Sequence, residues 1–306
     1  FLNPLLLRSL LGVAHNAWYR GSLEGISTPD LARLLPTRKK LSWNVFTQVV
    51  LQAYLQNKPA NAAKAIESSK QRSLPKHSFE HMLRSLRRWI STLQPANTDK
   101  STWQGYSQEH SYRDDEFAAK MSFVTQFSAA IRPQMLWDIG CNTGEFSAAA
   151  LNAGAQLAIG FDADQGALES AFERAHDGDL NLLPLYMDLS NPSPDQGWQQ
   201  IERSGLARRA PADAITALAL VHHLSIARNI PLARVVRWLL TLAPQGVIEF
   251  VPKSDPMVQK LLGLREDIFA DYSEQTFTTA LRSSARIVKR EVISSAGRTL
   301  FWYVRE

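Results

Sequence analysis

Apolar positions along the chain follow two different periods. In residues 1–94 they recur every three or four places, the spacing of helices with one buried side. Leu5, Leu6, Leu7, Leu10 and Leu11 form one such side, with Asn3 placed to cap the helix and Pro4 at its first turn. Ser27-Thr28-Pro29-Asp30 is a second start signal, leading into Leu31, Leu34 and Leu35 before Pro36 stops it. Val45, Phe46, Val49, Val50 and Tyr54 predict a helix over 41–55. A fourth runs from Ser78 to Leu93, with Phe79, Met82, Leu83, Leu86, Trp89 and Ile90 on one side and Arg84, Arg87 and Arg88 on the other. Segments 56–76 and 94–102, rich in Pro, Asn, Lys and Ser, read as linkers.

Beyond residue 102 the pattern changes. Residues 103–127 predict a helix opened by Asp114, Asp115 and Glu116, with Phe117, Met121, Val124 and Phe127 on one face. Short apolar runs then alternate with helical segments. The runs fall at 135–137, 157–161, 182–189, 213–221 and 246–251; the helices fall at 165–176, 231–242, 256–264 and 273–283. Arg286–Ile293 and Thr299–Val304 follow with no helix between them and read as an antiparallel hairpin. Such alternation predicts an α/β fold, a doubly wound and mostly parallel seven-stranded sheet. An all-helical N-terminal domain precedes it, giving domains 1–100 and 101–306.

The chemistry concentrates in Met135–Asp164, MLWDIGCNTGEFSAAALNAGAQLAIGFDAD. It reads as strand, tight turn with Gly140 and Gly144, Ala-rich helix, second strand, and an acid at Asp162. Such a unit binds an adenosine-containing cofactor: glycines let the backbone approach it, and a helix start offers N–H groups to negative charge. Asp162, at a second strand's end, is placed to accept both ribose hydroxyls. The spacing is Gly-x-x-x-Gly, not the Gly-x-Gly-x-x-Gly of dinucleotide sites. Asn142 stands where those sites have a middle glycine, and Asn tolerates left-handed backbone. Asp138, just before the turn, can hold a cationic amino group. A ligand with an α-amino acid end and an adenosine end satisfies both acids, and S-adenosylmethionine (SAM) is that ligand. Cys141, the single cysteine, reads as a small filler beside it and excludes an intrachain disulfide framework.

Other residues fall at the carboxyl ends of the expected strands, where ligands of such sheets bind. Asp188 is placed to accept the adenine amine, with Leu189 or Met187 flanking the ring. His222 and His223 end the fourth strand. As neighbours on a strand they are expected to point to opposite faces, so one alone reaches the reacting atoms. His222 is preferred as a base; the alternative is structural, one histidine hydrogen-bonded at the loop and the other shaping the acceptor pocket. Glu249 reads as a buried hydrogen-bonded acid. Lys253, Asp255 and Arg265 are weaker candidates for substrate contact. Paired histidines at i, i+1 with the cysteine elsewhere make poor metal spacing, so no metal site is expected.

Charge divides the chain. Residues 1–100 carry 15 Lys and Arg against 5 Asp and Glu, a net +10, while the remainder is −5. A basic helical domain admits nucleic acid as a partner, although its cations are scattered. No apolar stretch reaches the roughly 18 residues of a membrane span. FLNPLLL lacks a basic leader and a cleavage site, so a cytoplasmic location is expected. The oligomeric state is not legible.

The segments WDIGCNTGEFS, LPLYMDLSNPSPDQGW, ALALVHHLSIARNIPL and IEFVPKSDPMVQKLL together resemble class I SAM-dependent methyltransferases. Within these the chain is similar to the family of NoeA-like nodulation proteins, over about residues 100–306. The resemblance implies a cofactor site built from Asp138, Gly140, Cys141, Asn142, Gly144, Asp162, Ala163, Asp188, Leu189 and Leu220. It also implies a covering segment in which Tyr106, Tyr112 and Lys120 lie near SAM. The acceptor it implies is a small molecule, sugar or natural-product intermediate. An RNA methyltransferase or a non-catalytic SAM-binding module are the alternatives.

Overall fold

The structure, a computed structural model, describes residues 1–57, 74–96, 114–263 and 265–306. The chain divides into two compact units, Phe1–Thr98 and Asp99–Glu306.

The described part of the first unit is helical: α1 (Leu2–Leu11), α2 (Asn16–Gly21), α3 (Thr28–Leu34), α4 (Thr37–Lys40), α5 and α6 (Lys76–Ile90). Helix α5 begins at Trp43–Val45, passes through a π turn at Phe46–Val50 and resumes over Leu51–Asn57. Leu6, Leu7, Ile26, Leu31, Leu35, Val45 and Val49 form its core. The Ser27 cap is present, its hydroxyl accepting from the Asp30 N–H at 3.2 Å. The expected Asn3 cap is not. Helix α1 starts two residues earlier, at Leu2, and the Asn3 amide instead donates to Ile26 O and Thr28 Oγ1. Long-range donation to the next helix start has replaced local capping.

The second unit is layered around one sheet. Its elements are α7 (Asp114–Ile131), β1 (Met135–Ile139), α8 (Glu145–Asn152), β2 (Leu157–Asp162), α9 (Gln165–Asp177), β3 (Leu182–Tyr186), α10 (Leu206–Arg209), β4 (Ala214–Ala217), α11 (Leu232–Leu242), β5 (Gln245–Phe250), α12 (Pro256–Leu262), α13 (Glu274–Arg282), β6 (Ala285–Val292) and β7 (Thr299–Arg305). The seven strands lie in the order β3-β2-β1-β4-β5-β7-β6. Strands β1 to β5 pair in parallel, and β7 enters antiparallel between β5 and β6.

Burial on both faces explains the near-continuous apolar strands. In β1, Trp137 and Ile139 pack with α11 and α13, while Leu136 packs with α7 and α8 on the other face. The order reverses between β1 and β4, which opens a crevice at their carboxyl ends. Strand β4 stops at Ala217, four residues short of the predicted end at 221. Ala219 adopts φ +47°, which breaks the strand, and a π turn follows at His223–Ala227.

Candidate functional site

Three left-handed residues shape the turn after β1. Gly140 has φ +88°, Asn142 +49° and Gly144 +75°. Asn142 is one of the few side-chain-bearing residues suited to that backbone. The N–H groups of Gly140 and Cys141 both donate to Phe161 O, at 2.8 and 3.0 Å, which pins the turn against the end of β2. Asn142 N donates to Asp162 Oδ2 and Asp164 N to Asp162 Oδ1, each at 2.9 Å. One carboxylate is thus fixed from both sides by backbone. Burial raises its pKa against those two hydrogen bonds.

These residues face a cavity of about 430 Å³. Gly140, Cys141, Asn142, Asp162 and Ala163 line one part of it. Met187, Asp188, Leu189 and Ser190 line the next, after β3. Leu218, Ala219, Leu220, His223, Leu224, Ala227 and Arg228, after β4, line another; Lys120, Phe146 and Leu261 complete it. Asp188 keeps its place by accepting from Ser190 N and Ser190 Oγ through Oδ1, at 2.9 and 2.6 Å. The Asn142 Oδ1 atom is buried and has no hydrogen-bond partner among the described residues.

Two expected cofactor contacts are not on the cavity wall. Asp138 is 2% exposed, and its oxygens accept from Ser147 Oγ at 2.5 Å and Thr216 Oγ1 at 2.8 Å. Burial raises its pKa to about 6, against those two hydrogen bonds. Through them it braces β1 to α8 and β4. Gly144 faces away, under α9; a Cβ there would meet Leu182 Cδ2 at 3.0 Å and Ala171 Cβ at 3.3 Å. Tyr106 and Tyr112 lie outside the described residues.

Lys120 does line the cavity, yet it is 1% exposed and its ammonium sits 2.7 Å from Glu249 Oε2. Glu249, itself fully buried, also accepts the Ala219 N–H at 2.7 Å and faces Arg298 at 3.5 Å. The acid therefore holds the left-handed residue that turns the chain out of β4. Asp255 caps α12 and takes the Arg298 guanidinium through both oxygens, at 2.6 and 2.9 Å. It is structural and does not line the cavity. Lys253 pairs with Asp267, and Arg265 donates to Ile226 O and Asn229 Oδ1; neither lines the cavity.

The histidines depart from the strand geometry expected of them. Because β4 has already ended, they start a helical turn, and their rings lie side by side with centroids 4.1 Å apart. His222 is fully buried, lines no part of the cavity, and neither ring nitrogen has a partner among the described residues. Its pKa is well below the usual histidine range, through burial first and then the neighbouring His223 and Arg298. His223 is the one on the wall, its pKa lowered to about 4 by burial and by Arg298. Of the two, His223 and not the preferred His222 faces the cavity.

Sequence reasoning missed several supports: Ser147 and Thr216 around Asp138, Gly160 beneath Cys141, and Phe146 and Arg228 on the wall. Gly160 carried a readable signal, a glycine inside an apolar strand, which marks a close approach. A Cβ there would lie 2.7 Å from Cys141 Sγ.

No family model matches the chain. It is 46% identical to the nodulation protein NoeA of Rhizobium meliloti (strain 1021) over 306 residues, all of this chain and 64% of that protein. It thus spans less than two thirds of that relative's length. Among solved structures it is similar to magnesium protoporphyrin IX methyltransferase from Synechocystis PCC 6803 with bound SAH, at 19% identity and a TM-score of 0.45. That match covers 63% of this chain and 86% of the other. The 16S rRNA methylase RmtB gives 15% identity, a TM-score of 0.43, and coverage of 79% and 88%. At TM-scores below 0.5 neither speaks to this chain's chemistry. The chain is similar to NoeA along its whole length, and its second unit is built on a seven-stranded, mostly parallel sheet in the order β3-β2-β1-β4-β5-β7-β6.

Proposed function

We propose that the chain binds SAM in the 430 Å³ cavity and methylates a small-molecule, sugar or natural-product acceptor. The carrying observation is the fixed Asp162 carboxylate beside the left-handed turn, with Asp188 on the same wall. The donor set fits the cofactor. Asp162 suits a ribose diol, Met187 and Leu189 offer apolar faces for a ring, and Asp188 accepts from an exocyclic amine. The unpartnered Asn142 Oδ1 lies at the same turn. When bound, SAM supplies an electrophilic methyl group on a sulfonium.

The chain's remaining tasks are to orient an acceptor, exclude water and remove a proton. His223 serves the last. It is the histidine on the cavity wall, where its imidazole would face an acceptor hydroxyl. His222 stacks beside it and supports the ring. Leu218, Leu220 and Leu224 give that end an apolar wall.

Calorimetry with SAM tests the reading. Asp162→Ala should remove detectable binding, and binding at wild-type affinity would refute the site. His223→Asn should keep binding and lower transfer of labelled methyl at least tenfold; unchanged transfer would refute the base.

The +10 charge of residues 1–100 favours one second reading, an RNA acceptor. Arg84, Arg87 and Arg88 are exposed along α6. Under that reading RNA binding weakens steeply with salt. SAM binding without transfer to any pool would instead mark a non-catalytic module.

A further inference from the structure

The charges on the cavity wall are sorted by position. Its two carboxylates, Asp162 and Asp188, stand at the ends of β2 and β3. In the order β3-β2-β1-β4 these ends lie two and three strands from β4, about 10 and 14 Å at ~4.8 Å per strand. Among the described residues, no carboxylate lines the part of the wall that follows β4. The cationic side chains on the wall are Lys120 and Arg228. Lys120 is neutralised by Glu249 at 2.7 Å. Arg228, exposed, makes no hydrogen bond or ion pair through its guanidinium among the described residues. Its backbone N–H donates to His223 O at 3.1 Å, which closes the π turn. The uncompensated guanidinium and the imidazole on the wall therefore sit one turn of chain apart.

A guanidinium is a planar fork of donors matched to a carboxylate, phosphate or sulfate. Neither Asp162, held by backbone N–H groups, nor Asp188, held by Ser190, makes an ion pair with that of Arg228. We propose that the methyl acceptor is an anion: an oxyacid group, carboxylate, phosphate or sulfate, is held by Arg228 while its hydroxyl is presented to His223. This names the substrate class of the cavity and rests on the proposed methyltransferase reading. The apolar wall between, with Leu224 and Leu261, receives the body of such a molecule.

The whole chain, methyl-labelled SAM and the small-molecule fraction of a cell extract test it. The labelled product is passed over an anion-exchange resin at pH 8. Label retained at low salt and released by chloride is expected. Arg228→Gln should lower transfer at least tenfold with SAM affinity within twofold of wild type, and Arg228→Lys should fall between. Label that flows through unretained overturns the inference, as does wild-type transfer by Arg228→Gln. A tenfold loss of SAM affinity in Arg228→Gln also overturns it, because the guanidinium would then serve the cofactor. In each of these results the wild type still binds SAM, so the proposed function survives. A wild-type chain that binds no SAM, or binds it and labels nothing, sinks both.

Discussion

Gly160→Ala probes how the turn after β1 is seated on β2. The new Cβ would stand 2.7 Å from Cys141 Sγ, closer than real Cβ contacts come, and 3.0 Å from Cys141 Cβ, tighter than most. Cys141 has little room to retreat. Its N–H and that of Gly140 are both held by Phe161 O, and the next N–H is held by Asp162. Overpacking of this kind costs about 1–3 kcal/mol. For a unit the size of Asp99–Glu306 that lowers Tm by about 2–12 °C, at ~2–4 °C per kcal/mol. Whatever part of the turn shifts takes the Asp162 carboxylate with it, so SAM affinity should fall as well. Thermal denaturation and calorimetry are run on Gly160→Ala, Cys141→Ala and the pair. Removing the sulfur deletes the 2.7 Å clash and leaves the 3.0 Å one. The pair should therefore recover part of both losses, a coupling typical of residues in contact. A Gly160→Ala protein with wild-type Tm would refute the close seating. Strictly additive losses in the pair would place the damage elsewhere.

Asp138→Asn tests the brace between β1, α8 and β4. The folded-state pKa of Asp138 is about 6, above the ordinary carboxylate value, so protonation favours the fold. That stabilisation is complete below about pH 4 and is lost as pH rises through 6. Asn cannot ionise, so chemical denaturation should show the variant gaining on wild type between pH 4 and 6 and levelling above; a flat difference would contradict the buried charge. Lys120→Met leaves the Glu249 carboxylate buried without its nearest cation. Denaturation should show a loss of about 3–5 kcal/mol, with part regained in Lys120→Met/Glu249→Gln. A loss under about 1 kcal/mol would show that Arg298 suffices.

Sheet, strand order class and cofactor turn were legible because each rests on local rules. Continuous apolar runs between helical segments demand a buried parallel sheet, and Asn142 between two glycines demands a left-handed turn. What escaped was set by partners far away in sequence. Asp138 reads as a ligand until Thr216, 78 positions on, supplies the hydroxyl that occupies it. His222 and His223 read as strand residues until Glu249 fixes Ala219 and ends β4 early. Asn3 reads as a cap until Ile26 and Thr28 take its amide. Arg228 gave no sequence signal, since a lone arginine after a turn looks like any exposed cation.

The position of β7 has a consequence for biosynthesis. Strand β6 precedes β7 in the sequence but reaches the sheet's hydrogen-bond ladder only through it. On the ribosome, β6 therefore emerges with both backbone edges unsatisfied and waits for the segment behind it. Until then β5 is an open margin, and nascent chains stalled between the two strands are the species that a holdase would be called on to guard.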